Sequence, residues 1–396
     1  MNRTRISLTL ASLALFGAIA AVVIHAAPDQ ADLSTFEYDV AVDVFADGLQ
    51  TPWAIAFIDQ DTALVTERPG PVRLVRDGRL LPDPIAGTPE TWARGQGGML
   101  DVTLGPDYED DGWIYLAYSH GIDGERAMTR VVRGRIRDHE WIDEEVIYEA
   151  PRETYVGGGR HFGTRVVFDP DGYLYFSIGD RGQMNDAQDL SLPNGKIHRL
   201  WPDGSIPEDN PFIGTEDALP TIYAYGNRNP QGLAIHPETG RLWIADHGPR
   251  GGDMLQLIQA GANYGWPVIS YGINYDGSVL TPHMEQPGME QPIFYWTPSI
   301  AVSGLNFYDA DLFDRWRGRA LAGALRQQQV QLLNVHEDRV MHAEVIVEGR
   351  GRVREATVGP DGAIYLVLNN PDRIERLRPV ASIFWEEYAG VPMRAF

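Results

Sequence analysis

The sequence has no cysteine and a single lysine, Lys196, among its 396 residues. The absence of cysteine excludes disulfides and thiolate metal sites, so any redox chemistry requires a bound cofactor. Because almost all positive charge is carried by arginine, basic sites in this chain can bind carboxylates through paired N–H groups. The sequence also lacks a long amphipathic helical pattern, and no apolar run beyond the N-terminal region could span a membrane.

The overall composition is that of a folded protein with many turns. Hydrophobic residues make up 43% of the chain and charged residues 22%, while 42 glycines and 27 prolines favour short strands over long helices. The formal net charge of −22 would repel phosphate backbones, so no nucleic-acid partner is expected. A neutral or cationic small substrate is compatible with this charge, which also has a simpler explanation in solubility.

Residues 1–27 combine a short basic head with an apolar run from Ile6 to Ile24. This pattern is typical of a secretory signal peptide, and the run is also just long enough to form an uncleaved N-terminal anchor. Both alternatives place the remaining chain outside the cytoplasm, and we expect a periplasmic protein. A polar linker is predicted over residues 28–35, followed by one catalytic domain over residues 36–396.

That domain repeats an apolar strand, a tight turn and a second, aromatic-rich strand. Proline, aspartate and glycine suit successive turn positions, and alternating Val, Ile, Tyr, Leu and Phe suit half-buried strands. Six copies recur, centred on residues 57–61, 104–108, 168–172, 235–240, 307–311 and 358–362. They predict an all-β, six-bladed β-propeller whose N- and C-terminal strands share a blade. An open sandwich of irregular strands is the alternative.

A histidine and an aspartate, His161 and Asp180, lie at the two ends of one such strand-turn-strand unit. An imidazole held by a carboxylate keeps one tautomer and can take a proton from a substrate hydroxyl near neutral pH. A histidine in a glycine-rich loop can also be merely solvated or packed. The pair is therefore a candidate base whose role depends on its structural context.

Several further segments occur in a specific order and spacing: residues 49–57, 95–101, 161–180, 203–212, 225–232, 247–253, 263–267 and 351–355. Together they resemble the soluble quinoprotein glucose dehydrogenase and aldose sugar dehydrogenase family, also called the glucose/sorbosone dehydrogenases. The resemblance extends from Gly48 to Pro379. It supports the propeller and implies a cofactor, pyrroloquinoline quinone (PQQ), together with calcium.

The resemblance implies roles for individual residues. The histidine matching His161 removes the proton from the anomeric hydroxyl of the sugar while hydride passes to the quinone, and Asp180 matches the aspartate that orients it. Arg228 and Asn229 match a pair beside the reactive carbonyls of the cofactor, where a fixed cation stabilises developing charge. Gln96 matches a polar residue near substrate and base, or is a turn residue. The expected catalytic residues are thus His161, Asp180 and Arg228.

Further implied contacts concern calcium and the carboxylates of PQQ. Gly248 and Pro249 match residues whose backbone carbonyls bind calcium, a hard ion that prefers oxygen ligands. Arg352 and Arg354 alternate on one predicted strand, so both point to one face, either toward the three carboxylates of PQQ or as an exposed cationic stripe. The remaining expected cofactor contacts are Thr297 and Ser299, in a loop at the cofactor mouth, and Arg326, which replaces a family lysine.

One departure from the family concerns a second calcium ion. After Asp253, which is expected to support the calcium loop or face the cofactor, this chain has Met254 where the glucose dehydrogenase has a glutamate. A thioether is a poor calcium ligand. We therefore expect this second, structural calcium site to be weakened or absent, although Tyr264 is retained.

The leading functional prediction is a PQQ-dependent dehydrogenase that oxidises the anomeric carbon of aldoses to a lactone and passes electrons to a separate acceptor. Two alternatives remain open at this point. Six-bladed propellers also support calcium-dependent lactone hydrolysis, and a scaffold can persist as a non-catalytic binding propeller. The arginine-rich character of the predicted site favours an anionic cofactor over the first alternative, and the presence of both His161 and Asp180 argues against the second.

Overall fold

The computed structural model describes residues 31–380. The predicted signal or anchor, residues 28–30 of the predicted linker and residues 381–396 of the predicted catalytic domain lie outside this range. Strands dominate the described chain, with one short helix, α1 (Tyr108–Asp111), and three 3-10 turns at Arg152–Thr154, Met184–Gln188 and Asp314–Trp316. Between residues 31 and 380, no helix has the length and hydrophobicity needed to cross a membrane.

The strands are short and follow one another along the whole described chain. The first fourteen are β1 (Leu33–Ser34), β2 (Asp39–Ala46), β3 (Pro52–Phe57), β4 (Thr62–Glu67), β5 (Val72–Arg76), β6 (Arg79–Leu80), β7 (Met99–Leu104), β8 (Ile114–Gly121), β9 (Ala127–Arg137), β10 (Glu140–Glu149), β11 (Val166–Phe168), β12 (Leu174–Ile178), β13 (Lys196–Leu200) and β14 (Ile222–Tyr225). The others are β15 (Pro230–Ile235), β16 (Leu242–Asp246), β17 (Asp253–Leu257), β18 (Phe294–Trp296), β19 (Val302–Phe307), β20 (Ala320–Ala324), β21 (Gln329–His336), β22 (Arg339–Glu348), β23 (Arg352–Val358), β24 (Ile364–Asn369) and β25 (Arg373–Pro379).

These strands form six antiparallel sheets, the blades of a propeller. Blades 1 to 5 are β3–β6, β7–β10, β11–β14, β15–β18 and β19–β22, and blade 6 joins β23–β25 to β2 and β1. Strand β2 pairs with β25 from Val40 opposite Pro379 to Ala46 opposite Ile374. The two ends of the described chain therefore share a blade and close the ring. The predicted all-β, six-bladed propeller is confirmed.

The first strand of each blade lines the propeller axis. Each of these six strands contacts the first strand of the next blade, and β23 contacts β3 to complete the circle. The hydrophobic core lies between neighbouring blades, where Leu64 and Leu74 of blade 1 pack with Leu100 and Leu116 of blade 2. Strands β4 and β24 are buried at every residue because both blade faces are covered. Residues far apart in sequence consequently meet at the axis.

The predicted turns connect the first and second strands of the blades. In blade 3 the Asp169 carboxylate accepts the N–H of Asp171 at 3.0 Å and that of Tyr173 at 2.9 Å. Gly172 closes the turn with a φ of +85°, in the left-handed region that glycine adopts without steric cost. This local chemistry explains why the turns could be located from sequence. The connection between β19 and β20 also contains the 3-10 turn at Asp314–Trp316.

Candidate active site

The predicted histidine and aspartate are in contact at one end of blade 3. His161 precedes β11 and Asp180 follows β12, and these strands pair from Val166 opposite Phe176 to Phe168 opposite Leu174. The pairing returns the chain to the same end of the blade. His161 Nδ1 lies 2.6 Å from Asp180 Oδ1, and the Asp180 side chain is almost fully buried.

Burial and neighbouring charges set the protonation of this pair. Burial lowers the pKa of His161, its hydrogen bond to Asp180 opposes that shift, and the positive charges of Arg228 and Arg181 reinforce it. Burial alone would raise the pKa of Asp180, but the hydrogen bond and charge of His161 lower it overall. An ionised carboxylate only accepts hydrogen bonds, so Nδ1 carries the proton and Nε2 retains its lone pair. The pair therefore presents a neutral imidazole with a free lone pair at neutral pH, as a candidate base requires.

The backbone around His161 is held by side chains from other blades. His161 has a φ of +50°, which is sterically unfavourable for a non-glycine residue and persists only where its surroundings fix it. Gln96 Oε1 accepts the His161 N–H at 2.7 Å. Asn229 Oδ1 accepts the Gly163 N–H at 3.1 Å. Gln96 and Asn229 thus directly support residues 161–163, here called the base segment, in addition to any contact with a ligand.

The second oxygen of Asp180 is held by Trp266, a residue to which the sequence analysis assigned no individual role. Trp266 Nε1 donates to Asp180 Oδ2 at 2.8 Å, and the N–H of Gly182 donates to Oδ1 at 2.7 Å. Trp266 and Asp180 are 86 residues apart in the chain, so no local pattern links them. The only sequence signal was that Trp266 lies in one of the segments that carry the family resemblance.

A cavity of about 520 Å³ opens on the axis beside this pair. Its walls come from strands of blades 1, 4 and 6 and from loops within and between blades, and Gln96, Phe162, Gly163 and Asn229 are the lining residues nearest to His161 along the chain or through hydrogen bonds. The other lining residues are Thr51, Trp53, Arg68, Gln231, His247, Ala301, Leu325, Arg352, Arg354, Asn369, Asn370 and Asp372. Two predicted arginines, Arg352 and Arg354, therefore face the cavity and do not form an exposed stripe.

Arg354 is a buried cation without a counter-ion. Its Nη1 donates to Gln231 Oε1 at 2.7 Å, and its guanidinium lies 3.9 Å above the Trp53 ring. Its Nε finds no acceptor within residues 31–380. Burial and the charges of Arg352, Arg165 and Arg68 lower its pKa. This concentration of positive charge is suited to an anionic ligand.

The predicted calcium loop contacts the guanidinium of Arg228. Arg228 Nη1 donates to the carbonyl oxygens of His247 at 2.7 Å and Gly248 at 2.9 Å. Asp253 Oδ1 accepts the Gly248 N–H at 3.0 Å. Asp253 therefore supports this loop, which is one of the two roles expected for it from sequence. The Pro249 carbonyl accepts the Gly252 N–H at 3.4 Å. Across residues 31–380, no three His, Cys, Asp or Glu side chains cluster as metal ligands.

Four of the predicted cofactor residues do not line the cavity: Arg228, Thr297, Ser299 and Arg326. Thr297 is exposed and its hydroxyl donates to the Gly251 carbonyl at 2.9 Å, which ties its loop to the predicted calcium loop. The Ser299 hydroxyl accepts the Ala301 N–H at 3.4 Å, and Ala301 lines the cavity. Arg326 is exposed and is not part of the lining, although the preceding Leu325 is. A role for Arg326 in cofactor binding stays a prediction.

Comparison with known proteins identifies the family. Residues 49–376 match the family described as Glucose / Sorbosone dehydrogenase. The chain belongs to this family. By that membership it is an oxidoreductase acting on CH–OH donors.

Several relatives of this dehydrogenase match it over most of their length. It is 42% identical over 335 residues to the aldose sugar dehydrogenase YliI of Escherichia coli (strain K12), covering 83% of this chain and 90% of that protein. The crystal structure of the soluble aldose sugar dehydrogenase from Escherichia coli in the apo-form has a TM-score of 0.82 at 40% identity, covering 86% of this chain and 99% of that one. The PQQ-bound form of the aldose sugar dehydrogenase from Streptomyces coelicolor has a TM-score of 0.69 at 26% identity, covering 86% and 98%.

Proposed function

We propose that this chain is a periplasmic, PQQ-dependent aldose sugar dehydrogenase that oxidises the anomeric carbon of aldoses to lactones. The observation that carries the proposal is that a neutral His161–Asp180 pair lies directly beside a cavity lined by its chain neighbours Phe162 and Gly163, and that buried Arg354 brings positive charge without a counter-ion to the same cavity. The similarity to the aldose sugar dehydrogenase of Escherichia coli supports the substrate class, and the similarity to the PQQ-bound enzyme of Streptomyces coelicolor supports the cofactor. Export is proposed from the basic and apolar pattern of residues 1–27.

The donors that line the cavity fit the cofactor. PQQ carries three carboxylates, and a guanidinium binds a carboxylate through two parallel hydrogen bonds. Arg354 has an unsatisfied Nε and Arg352 lines the same cavity, so these two residues would hold carboxylates of PQQ. Arg228 and Asn229 would lie beside its carbonyls. When bound, PQQ supplies the acceptor for the two electrons and the hydrogen of the substrate C1–H bond.

The protein residues would prepare the sugar for this transfer. His161 Nε2 accepts the proton of the anomeric hydroxyl, so negative charge develops on that oxygen while the C1–H bond breaks as hydride and the C1=O bond of the lactone forms. Asp180 remains ionised and stabilises the imidazolium that results. The fixed charge of Arg228 would stabilise negative charge on a ligand bound beside it. A separate electron acceptor is proposed as the partner of the enzyme.

Calcium is proposed at the carbonyl oxygens of Gly248 and Pro249. Each of these oxygens accepts one hydrogen bond within the chain and retains a second lone pair. Oxygen ligands of this type suit calcium.

Reconstitution tests the proposal. Purified apoprotein supplied with PQQ and calcium is expected to reduce an artificial dye when given aldoses. His161→Ala should lower kcat by about 10²–10⁴-fold, the usual contribution of a general base, while the absorption of bound PQQ is retained. His283→Ala, which alters an exposed histidine, is the matched control and should leave kcat unchanged.

The same assay separates the alternatives. Lactone hydrolysis without added quinone, combined with no dye reduction by any aldose or alcohol, would replace the proposal with the hydrolase. Quinone binding without turnover in the wild-type protein would indicate a binding propeller. Membership of a dehydrogenase family favours oxidation over both.

A further inference from the structure

The described chain contains five buried arginines, which fall into two groups. Arg165 and Arg199 are paired with carboxylates. Arg181, Arg228 and Arg354 have no carboxylate in ion-pair contact within residues 31–380. A buried cation without a counter-ion is costly, so its retention calls for a reason. The proposed function gives one for Arg228 and Arg354, which would face the cofactor, but gives none for Arg181.

Arg181 is not placed to bind a ligand. It is only 1% exposed and does not line the axial cavity. Its Nη1 donates to the Arg160 carbonyl, and its Nη2 donates to the Ala127 carbonyl at 3.2 Å. The centre of its guanidinium lies 3.4 Å from the centroid of the Phe162 ring, a cation–π contact. All of these contacts are within the protein.

Two of these contacts lie on either side of the proposed base. Arg160 and Phe162 are the chain neighbours of His161, so Arg181 holds the peptide before the base and the side chain after it. Gln96 Oε1 accepts the N–H of His161, which lies between these two residues in the chain. Both His161 and Arg181 have left-handed backbones, with φ of +50° and +56°. Such conformations persist where surrounding contacts over-determine them, and they concentrate at functional sites.

We propose that Arg181 is a positioning residue for His161, holding the residues on both sides of the base so that the imidazole stays on Asp180. This inference rests on the proposed function of His161.

The missing counter-ion of Arg181 has a separate consequence for the pKa of His161. The charge of Arg181 is one of those that lower the pKa of His161, and it therefore opposes protonation of the base before substrate binds. Burial lowers the pKa of Arg181 to about 9, so the guanidinium is still charged at neutral pH.

Two variants separate the geometric effect from the effect of charge. Arg181→Lys keeps a positive charge but loses the planar fork that reaches two carbonyls, and Arg181→Met loses both. Because a small misplacement of a reacting group can cost about 10²-fold, both variants should lower kcat by about that factor while KM changes by less than about twofold. The acid limb of kcat/KM should move to higher pH only in Arg181→Met.

Arg199→Met is the matched control for loss of a buried arginine. Arg199 lies in the same blade, stacks 4.4 Å from the Tyr173 ring and pairs with Asp209, away from the base segment. The Arg199→Met variant should be less stable than the wild type but should keep the wild-type pH profile of kcat/KM. If Arg181→Met and Arg199→Met have the same kcat and the same acid limb, Arg181 serves only the fold and the inference is wrong.

A titration of the apoprotein keeps this test separate from the proposed function. The His161 ring proton, assigned by its absence in His161→Ala, is followed by NMR over pH without sugar or quinone. The inference predicts a higher pKa in Arg181→Met than in the wild type, and no such rise in Arg181→Lys. An unchanged pKa in Arg181→Met would overturn the charge effect, whether or not the wild type oxidises sugars.

Should Arg181→Met fail to fold, Arg181→Lys carries the test of position. Wild-type kcat in that variant would overturn the inference. A kcat reduced by about 10²-fold with an unchanged acid limb would support it. If the wild-type protein oxidises no sugar, the proposed function fails first, and the titration alone still decides how Arg181 acts on His161.

Discussion

At the scale of single residues, the protonation of His161 sets the acid limit of the proposed reaction. The base must be neutral to accept a proton, so activity is lost as pH falls through the pKa of His161 in the free enzyme. Burial lowers that pKa. We expect kcat/KM to hold constant as pH falls to the usual pKa of histidine, about 6.5, and to decline only below it.

Asp180→Asn provides the matched variant for this pH profile. The hydrogen bond to Asp180 raises the pKa of His161 against the effect of burial, so its loss should move the acid limb to lower pH while kcat falls. A limb that moves to higher pH in Asp180→Asn would contradict this account of the pair.

Arg354 should matter more for the cofactor than for the fold. In the apoprotein it is buried, repelled by Arg352 and Arg165, and its Nε has no acceptor in the described chain. We expect Arg354→Met to weaken PQQ binding by about 10–10²-fold, as for one lost charged hydrogen-bonding group, without lowering the melting temperature of the apoprotein. Fluorescence titration with PQQ and thermal unfolding measure the two quantities. Unchanged affinity combined with a lower melting temperature would assign Arg354 a structural role.

At the scale of structural elements, Arg165 connects the first strands of the blades. It lies directly before β11, pairs with Asp101 of β7 at 2.8 Å and Glu355 of β23 at 3.2 Å, and donates to the Gln231 carbonyl of β15 at 3.3 Å. Burial raises the pKa of Glu355 to about 7 even though Arg165 opposes this shift. The axis of the propeller is thus held by one buried cation between two carboxylates.

Arg165→Met should therefore destabilise the protein by about 3–5 kcal/mol, because it leaves two buried carboxylates without a counter-ion. Their folded pKa values would then lie above the unfolded values, so the loss should be smaller in mildly acidic buffer than at neutral pH. Urea unfolding at the two pH values measures both effects. Arg317→Met is the control, since Arg317 forms an exposed ion pair with Asp309 and should cost less than about 1 kcal/mol. Equal losses in the two variants would contradict the central role of Arg165.

The elements that could be predicted from sequence are those whose signal is local. The Asp169 carboxylate and Gly172 mark their own turn, and six such turns gave the six blades. The proximity of His161 and Asp180 could be predicted from the same strand-turn-strand unit, because one residue precedes and the other follows its two paired strands. Trp266 was not predicted as the partner of Asp180, since that contact joins residues from different blades and leaves no mark in spacing or periodicity.

The family resemblance added residues that physical reasoning from sequence could not assign. Arg352 and Arg354 do line the cavity, whereas Arg326 is exposed and outside its wall. Arg181 was missed because nothing in its local sequence separates it from any other arginine after a strand. Its significance became visible only when its contacts with Arg160 and Phe162 were known.

At the scale of the whole molecule, the ring accounts for the placement of the site. A chain with a formal charge of −22 concentrates Arg68, Arg352 and Arg354 around its axial cavity, because closure brings first strands and loops from distant segments together. Positive charge inside an acidic protein favours an anionic cofactor over other ligands. The base segment of blade 3 borders the same cavity through Phe162 and Gly163. The arginines that would bind the cofactor and the segment that carries the proposed base therefore border the same cavity.

The most direct test of the central claim is the rate at which bound PQQ is reduced after rapid anaerobic mixing of the reconstituted protein with an aldose. The account predicts a change in the quinone absorption in wild type, slowed when the anomeric C–H carries deuterium and slowed by about 10²–10⁴-fold in His161→Ala. An absorption that no aldose changes, or a reduction rate equal in wild type and His161→Ala, would contradict it.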